Sequence, residues 1–284
     1  MQTKPYIVVT GAGGNIGRHV VDYARAQGAH VLAVDRTIDK PVRDHSRTID
    51  VTDLGQMFDA LYRADAVIHL AAIPHQRMSS AATIFNTNMS GTWNVLEAAH
   101  KLSTPRVVIA SSLQAISTAT PITRQYYQYL PIDEALPLDP QDEYSLTKVL
   151  GETMAEMFAK HFNMSIVSLR FPWVVGPEQM ALFPRSAKSA EQISDVCYLS
   201  YADTADLCWR AATVVLEPGR HWPLFAAAAD TYIDAPTLDF VRVRFPDAEL
   251  RGDLSGYASL ISSARAESLL GFKAKDGFRT TRNV

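Results

Sequence analysis

The chain contains little cysteine and no long apolar run. Only Cys197 and Cys208 are present, eleven residues apart and without histidines at metal-ligand spacing. We therefore expect two buried thiols, and neither a disulfide framework nor a metal site. No window approaches the ~18 consecutive apolar residues of a membrane span, and the first residues lack the layout of a signal peptide. The expected protein is soluble and cytoplasmic, without membrane contacts.

The sequence also lacks blocks of like charge. It has 27 Lys and Arg against 30 Asp and Glu residues, a formal charge of −3, and this dispersed charge disfavours nucleic acid and anionic lipid as partners. Apolar content, in contrast, is ample at 47% of 284 residues. That is enough for one large domain, or for a main domain with a smaller appendage.

Short β-branched runs alternate with segments of helical periodicity up to about residue 170. The expected strands lie at 6–10, 30–35, 66–72, 106–111 and 165–170, and the expected helices at about 15–27, 53–63, 81–101 and 142–161. Almost wholly apolar strands in this order predict an α/β fold, a Rossmann-type doubly wound parallel sheet. Residues 171–284 are richer in proline and aromatic residues, as in "GRHWPLF". We expect them to form a small, less regular substrate-binding part that is partly interleaved with the main domain.

A glycine-rich loop joins the first expected strand to the first expected helix. In "VVTGAGGNIGRHV", Gly11 permits a sharp turn, Gly14 allows the backbone to approach a pyrophosphate, and Gly17 allows the helix to pack closely on the sheet. The N–H groups at the start of the helix, at Asn15 and Ile16, would bind the anion. The loop thus predicts a dinucleotide site.

An acidic residue supports this interpretation. Asp35 ends the second expected strand, eighteen residues past Gly17, where a carboxylate accepts both ribose hydroxyls of NAD and repels the 2′-phosphate of NADP. Arg36 beside it would tolerate a phosphate or stack on adenine. We therefore expect residues 1–170 to bind NAD, with NADP as the less favoured cofactor.

Further candidate contacts lie at the ends of later strands. Asp50 ends a short third strand and is either a turn carboxylate or a partner for the adenine amine, with Val51 beside it. His69, within the fourth strand, fits a core histidine better than a catalyst. The residues after it lie at the carboxyl edge of the sheet and leave room for a cofactor: Leu70, Ala71 and Ala72.

Tyr144 and Lys148 lie four residues apart at the start of the helix expected over 142–161. At about 100° per residue, the pair shares a stripe with Gly151, Ala155 and Ala159. The solvated face of the helix is expected at Glu152, Thr153, Glu156 and Lys160. An ammonium one turn from a phenol lowers the phenol's pKa, which is normally about 10, and favours proton exchange with a substrate hydroxyl.

A hydroxyl that holds the substrate oxygen is expected at the end of the strand "RVVIASS". Ser111 and Ser112 lie at its carboxyl edge, and Ser112 opens the following loop. Two serines after a strand are also common as turn formers.

In combination, "TGAGGNIG" (10–17), "HLAA" (69–72), "YSLTK" (144–148) and "RFPWVVGP" (170–177) carry a family signature. The sequence resembles the extended short-chain dehydrogenase/reductases, the NAD-dependent epimerase/dehydratase family, and is somewhat similar to uronate dehydrogenases. The resemblance implies Tyr144 as catalytic acid or base, Lys148 as its pKa modifier and ribose ligand, and Ser112 as the residue that orients the hydroxyl. It also implies cofactor contacts at Asn88 and along Phe171, Trp173 and Val174, and a homodimer formed through helices 81–101 and 142–161.

The C-terminal part is short for a fold that grips a nucleotide diphosphate as well as a sugar, so a small sugar-like substrate is expected. The candidates on the substrate side are His75, Gln76, Ser112, Gln114, Trp173 and Arg185. The leading hypothesis is an NAD-dependent oxidoreductase acting on a secondary alcohol or lactol. An epimerase or dehydratase that retains NAD uses the same residues. A dinucleotide-sensing regulatory protein is the hypothesis from another class, and the Tyr/Lys pair argues against it.

Overall fold

The computed structural model describes residues 4–38, 45–75, 78–116 and 127–279. The strands of these residues are β1 Tyr6–Thr10, β2 His30–Asp35, β3 Ser46–Thr48, β4 Ala66–His69, β5 Arg106–Ser112, β6 Tyr129–Leu130, β7 Ser165–Phe171, β8 Trp173–Val175, β9 Tyr198–Ser200, β10 Arg220–Phe225 and β11 Glu249–Leu250. The helices are α1 Asn15–Ala26, α2 Leu54–Leu61, α3 Ala81–Lys101, α4 Glu143–Phe162, α5 Pro177–Met180, α6 Tyr201–Thr213, α7 Thr237–Arg244 and α8 Ala264–Leu270.

Seven parallel strands form the central sheet, in the order β10-β7-β5-β4-β1-β2-β3. Neighbouring strands align apolar residues, so that Val8 of β1 pairs with Leu32 of β2 and with Val67 of β4. The order reverses between β1 and β4, which places a ligand crevice at their carboxyl ends. The prediction of a Rossmann-type doubly wound parallel sheet is confirmed.

Both faces of the sheet are covered, which explains why the strands are apolar throughout. One core cluster joins the sheet to α1, α6 and α8, and the other joins it to α2, α3 and α4. Parallel strands covered on both sides need no polar face. Among the described residues, no helix is long and apolar enough to cross a membrane.

The C-terminal region contributes to both the main sheet and a smaller part. β10 is the edge strand beside β7, and α6 packs on α1. The sequence "GRHWPLF", expected to be irregular, is mostly β10, and its Pro223 is tolerated because an edge strand has neighbours on one side only. The smaller part contains the pairs β6–β11 and β8–β9, with α5 and α7.

Two strands end earlier than expected. β4 stops at His69 rather than continuing to residue 72, because its neighbour β1 ends at Thr10. Leu70 N makes the last backbone bond, to the Thr10 carbonyl, and Ala71 N bonds to the Thr10 side chain instead. β3 ends at Thr48 rather than Asp50, because Asp50 opens a turn. Residues 70–72 therefore cross the carboxyl edge beside the glycine loop.

Candidate active site

The turn from β1 into α1 is built from glycines at positions that exclude side chains. Gly11 has φ +72°, and a Cβ there would lie 2.6 Å from the backbone of the loop after β4. A Cβ at Gly17 would overlap the carbonyl oxygen of Gly11. Gly14 is the N-cap of α1 without a side-chain cap, so the N–H groups of the first turn, at Asn15 and Ile16, have no side-chain acceptor there. The arrangement suits an anion.

Asp35, at the end of β2, lies over this loop. Its Oδ2 accepts a hydrogen bond from Gly13 N at 2.9 Å, and its Oδ1 accepts one from Thr37 N at 3.4 Å. Gly13 was missed by the sequence reasoning, although the doubled glycine at 13–14 is a signal. A Cβ at Gly13 would approach the Thr37 carbonyl oxygen to 3.0 Å. Arg36 is exposed beside the carboxylate.

Asp50 and Val51 have contacts within the protein. Asp50 Oδ1 accepts hydrogen bonds from Thr52 N at 2.9 Å and Thr52 Oγ1 at 2.8 Å. These contacts favour the interpretation of Asp50 as a turn carboxylate over its interpretation as a partner for the adenine amine. Val51 is buried, and its carbonyl accepts a hydrogen bond from the Asn94 amide at 3.0 Å.

Asn88 on α3 connects the loop after β4 to α4. Its Oδ1 accepts from Ile73 N at 2.8 Å, and its Nδ2 donates to the Ile73 carbonyl and to Thr147 Oγ1, both at 3.2 Å. The Asn88 amide is buried, and both its oxygen and its nitrogen are hydrogen-bonded. Asn88 therefore fixes the loop that contains residues 70–72 against α4, the helix of Tyr144 and Lys148. A small cavity here is lined by residues of the loop after β4 and of α3, β5 and α4, among them Leu70, Ala71, Ala72, Asn88, Ala110, Ser111, Thr147 and Lys148.

His69 is buried at the end of β4 and bonded at both ring nitrogens. Thr10 Oγ1 lies 2.8 Å from Nδ1 and Thr92 Oγ1 lies 3.4 Å from Nε2. Burial, with a smaller contribution from the Lys148 charge, lowers the pKa of His69 to about 3. The ring is neutral at ordinary pH, as expected for a core histidine.

This burial predicts a loss of stability in acid. The pKa of His69 is lower in the folded state than in the unfolded state. Between about pH 6.5 and 3 the unfolded state therefore binds a proton that the folded state does not, and the protein loses stability as the pH falls through that range. From pH 7 to pH 5 the loss attributable to His69 is about 2 kcal/mol. Urea unfolding of His69→Gln should lack this part of the pH dependence, whereas substitution of the exposed His30 by Gln should retain it.

A capping box fixes the first turn of α4, where Tyr144 lies. The Asp142 side chain accepts from Ser145 N at 2.6 Å, and Ser145 Oγ accepts from Asp142 N at 3.0 Å. Two N–H groups at the helix end are thereby satisfied. The position of the Tyr144 backbone is therefore set by local sequence.

Ser112, Tyr144 and Lys148 come together at the end of β5. The Ser112 hydroxyl lies close enough to the Tyr144 phenol to favour its ionised form, and it accepts a hydrogen bond from Gln114 N at 3.1 Å. Lys148 Nζ lies 5.4 Å from the centre of the Tyr144 ring and donates to the Ala110 carbonyl at 2.7 Å. All three predicted catalytic side chains thus share one site.

The pKa values of this group differ from the sequence expectation. Burial raises the pKa of Tyr144 to about 12, against the opposing effect of the Ser112 hydrogen bond. Burial also lowers the pKa of Lys148 to about 8, and the Glu152 charge opposes that shift. The expected lowering of the phenol pKa by the ammonium is therefore not found, because desolvation is the largest effect and Lys148 donates to a backbone carbonyl.

The packing of α4 confirms one expected stripe and corrects another. Gly151, Ala155 and Ala159 are buried, as predicted. Glu152 was expected on the solvated face and is instead buried, because it is paired with Arg170 of β7 at 2.8 Å. The other members of that face are exposed as expected: Thr153, Glu156 and Lys160.

The segment after β7 borders the same edge of the sheet. Phe171 pairs with Ser112 in the sheet register and is buried. Trp173 is 42% exposed, and its ring meets the edges of Phe183 and Tyr232 at centroid distances of 6.0 and 5.7 Å. Val174 is half-buried in β8. An aromatic cluster therefore supports Trp173 beside the site.

The remaining substrate-side candidates occupy varied surroundings. His75 is exposed on the loop after β4, and Gln76 lies outside the described residues. Gln114 is in the short turn of helix after β5, and its buried Oε1 has no hydrogen-bond partner among the residues that the structure describes. Gln114 is thus an unsatisfied acceptor two residues from Ser112.

Arg185 is already bonded within the small part. Its Nη1 donates to Asp195 Oδ1 at 3.1 Å, and its charge lies close enough to the Tyr232 phenol to oppose the rise in that phenol's pKa caused by burial. The guanidinium is therefore held by contacts within the protein and is not an unpaired cation facing a substrate.

The chain belongs to the NAD dependent epimerase/dehydratase family, whose model matches residues 7–212. This match confirms the resemblance drawn from the glycine loop and the Tyr/Lys pair.

Known proteins similar to this chain include sugar dehydrogenases. An L-arabinose 1-dehydrogenase (NAD(P)(+)) of Haloferax volcanii is 28% identical over 185 residues, 61% of this chain and 69% of that protein. A uronate dehydrogenase of Pseudomonas syringae pv. tomato is 29% identical over 170 residues, 58% of each. The match thus spans less than two thirds of the second relative. A short-chain dehydrogenase/reductase superfamily protein from Agrobacterium tumefaciens, solved with bound NAD, superposes with a TM-score of 0.74 at 21% identity, covering 96% of this chain and 94% of that one.

Proposed function

We propose that this protein is an NAD-dependent oxidoreductase acting on a secondary alcohol or lactol carbon of a small sugar-like substrate. The observation that carries the proposal is the grouping of Ser112, Tyr144 and Lys148, with Lys148 Nζ 5.4 Å from the centre of the Tyr144 ring, at the sheet edge where the glycine loop also lies. The similarity to an arabinose dehydrogenase and a uronate dehydrogenase supports the sugar-like substrate.

The glycine loop and Asp35 fit a dinucleotide. Side chains at Gly11 and Gly17 would fill the turn, and the N-terminus of α1 has no side-chain cap, which suits a pyrophosphate. The Asp35 carboxylate would accept the ribose hydroxyls. NAD, when bound, supplies the acceptor for the hydride of the substrate carbon.

The three catalytic side chains then have distinct tasks. Ser112 donates its hydroxyl to the substrate oxygen and orients it. Tyr144 exchanges a proton with the substrate hydroxyl as general acid or base. Because burial raises the pKa of its phenol to about 12, the phenolate would form only when the positive charge of a bound nicotinamide offsets that burial. The Lys148 ammonium, 5.4 Å from the centre of the Tyr144 ring, would add to that positive charge and would bind the nicotinamide ribose hydroxyls. Trp173, supported by Phe183 and Tyr232, would pack on an apolar face of the sugar.

A second candidate is an epimerase or dehydratase that reduces and reoxidises NAD within one turnover. The family to which the chain belongs includes this chemistry by name. Absorbance and mass analysis of the purified protein separate the two, since an epimerase retains NAD through purification and a dehydrogenase exchanges it. The regulatory alternative is disfavoured because Tyr144 is buried and Lys148 half-buried beside Ser112.

The direct test is a screen of sugars, sugar acids and polyols with NAD and NADP, following absorbance of the reduced nicotinamide. Turnover of a small sugar or sugar acid with NAD is the expected result. Turnover of nucleotide sugars alone would contradict the substrate class.

Asp35 is predicted to determine cofactor choice. Replacement by Asn preserves an acceptor for Gly13 N but removes the negative charge. We expect NAD binding to weaken roughly 10- to 100-fold, because charged hydrogen bonds are lost, and NADP binding to strengthen because the 2′-phosphate is no longer repelled. Titration of both cofactors checks this. An unchanged preference in Asp35→Asn would show that another group discriminates.

We further propose a homodimer formed through α3 and α4. Apolar side chains are exposed on these helices, with Trp93 43% and Leu146 38% accessible. Exposed apolar surface of this kind suits an interface between copies. Light scattering should show a dimer, and Trp93→Glu should shift it toward the monomer. A monomeric wild-type protein would refute the proposal.

A further inference from the structure

The buried carboxylate of Glu152 connects the three elements around the candidate active site. It accepts hydrogen bonds from Ser111 Oγ at 2.6 Å, Arg170 Nε at 2.9 Å and Arg170 Nη2 at 2.8 Å. The side chains of Glu152 and Arg170 are only 5% and 4% exposed. Ser111 precedes Ser112 at the end of β5, and Arg170 precedes Phe171 at the end of β7. The ion pair thus lies directly behind the site.

Stability alone does not account for this pair. Desolvation of two charges largely offsets their attraction, so apolar residues of similar volume would often stabilise a core as well or better. Arg170 is also incompletely satisfied, since its buried Nη1 has no hydrogen-bond partner within the described part of the chain. Its guanidinium lies 5.1 Å from the Phe225 ring centre. A role for the Glu152 charge itself is indicated.

The Glu152 carboxylate lies one turn after Lys148 on α4, and the two side chains bind adjacent residues of β5, Glu152 the Ser111 hydroxyl and Lys148 the Ala110 carbonyl. Burial lowers the pKa of Lys148 to about 8, and Glu152 is the group that opposes this shift. In the described part of the chain, the other titratable groups near the ammonium are His69 on β4 and Tyr144 on α4, and the Arg170 cation of β7 is paired with Glu152. Both His69 and Tyr144 are neutral near pH 7, since burial lowers the pKa of His69 to about 3 and raises that of Tyr144 to about 12. On β5, Lys148 meets the Ala110 carbonyl.

We infer that Glu152 is a positioning residue, anchored by Arg170, whose carboxylate keeps Lys148 protonated near neutral pH and holds the ends of β5 and β7 to α4. The inference rests on the proposed function for the task of Lys148. It predicts that a neutral isostere at position 152 reduces the protonated fraction of Lys148 without removing any group of the catalytic trio.

The test is a titration of the lysine side chains by NMR with 13Cε-labelled lysine, in which Lys148→Arg assigns the Lys148 signal. In Glu152→Gln we expect the midpoint of the Lys148 titration to fall by about one pH unit, which is a tenfold increase in the acidity of the ammonium. The upper pH limit of NADH binding, followed by energy transfer from tryptophan, should fall with it.

Two controls separate charge from packing. Glu156→Gln makes the same change one turn later, at an exposed side chain, and should leave the Lys148 midpoint unchanged. Ser111→Ala removes one hydrogen bond to Glu152 but keeps the charge, so it should change the midpoint little. If Glu152→Gln does not fold, Glu152→Gln combined with Arg170→Gln removes both charges, and a midpoint below that of the wild type is still expected.

An unchanged Lys148 midpoint in Glu152→Gln, or an equal change in Glu156→Gln, would overturn the inference. These outcomes are independent of the proposed activity, because the titration needs neither substrate nor cofactor. Absence of turnover with every sugar tested would contradict the oxidoreductase proposal and leave the titration result intact.

Discussion

Replacement of Tyr144 by phenylalanine is expected to lower kcat by roughly 10²- to 10⁴-fold, the usual contribution of a positioned general acid or base. The ring of Phe preserves the packing of this buried residue, but the substrate proton has no acceptor. NAD binding should change little, because Gly11, Gly17 and Asp35 are untouched. Initial rates with the best substrate of the screen, together with a cofactor titration, provide the measurement.

A matched control for Tyr144→Phe is Tyr62→Phe, which removes a phenol from a surface residue that is 60% exposed. It should have wild-type rates. Undiminished turnover in Tyr144→Phe would refute the proposed mechanism, since no other phenol is proposed to receive the substrate proton. A loss confined to NAD affinity would instead indicate that Tyr144 only binds the cofactor.

Replacement of Arg170 by methionine is expected to destabilise the protein by about 3–5 kcal/mol, because Glu152 becomes a buried charge without its partner. The change in free energy of unfolding is measured by urea denaturation. Loss of two donors, at 2.8 and 2.9 Å, leaves only Ser111 bonded to the carboxylate. The Lys148 ammonium, one turn away, does not bond to it directly.

The double variant Glu152→Leu, Arg170→Met provides the decisive comparison. Since it leaves no unpaired buried charge, it should recover most of the stability lost in Arg170→Met. Arg220→Met, which breaks an exposed pair with Glu217 on the neighbouring edge strand, should cost less than about 1 kcal/mol. If the single variant Arg170→Met and the double variant lose the same free energy of unfolding, the Glu152–Arg170 pair contributes through packing rather than charge.

The sequence was sufficient for the features that depend on local chemistry. The glycine spacing at Gly11, Gly14 and Gly17 is required by a turn in which a side chain would strike the backbone. The α3 boundaries match the expected residues 81–101, because the periodicity is strong and Ser80 caps the start. The placement of Tyr144 and Lys148 on one stripe of α4 was also predictable, because it follows from helix geometry.

Strand ends and charge states were harder to predict. β4 stops at His69 because its neighbour β1 ends at Thr10, so that Ala71 N bonds to the Thr10 side chain rather than to a strand carbonyl. Residues 220–225 were expected within a less regular part, yet they form β10 at the sheet edge, where the missing donor of Pro223 is tolerated. The pKa of Tyr144 is raised rather than lowered because burial, which a helix projection does not show, is the largest effect.

By itself, the sequence determined the alternating fold, the glycine loop and the Ser/Tyr/Lys set, because each depends on residue type and on spacing along one element. Only the tertiary structure decided the environment of Glu152. A helix projection places this residue among solvated side chains, but β7 brings Arg170 to the same flank of α4. The pairing joins residues eighteen positions apart in the chain, and such a contact depends on how the sheet and helices pack rather than on local pattern.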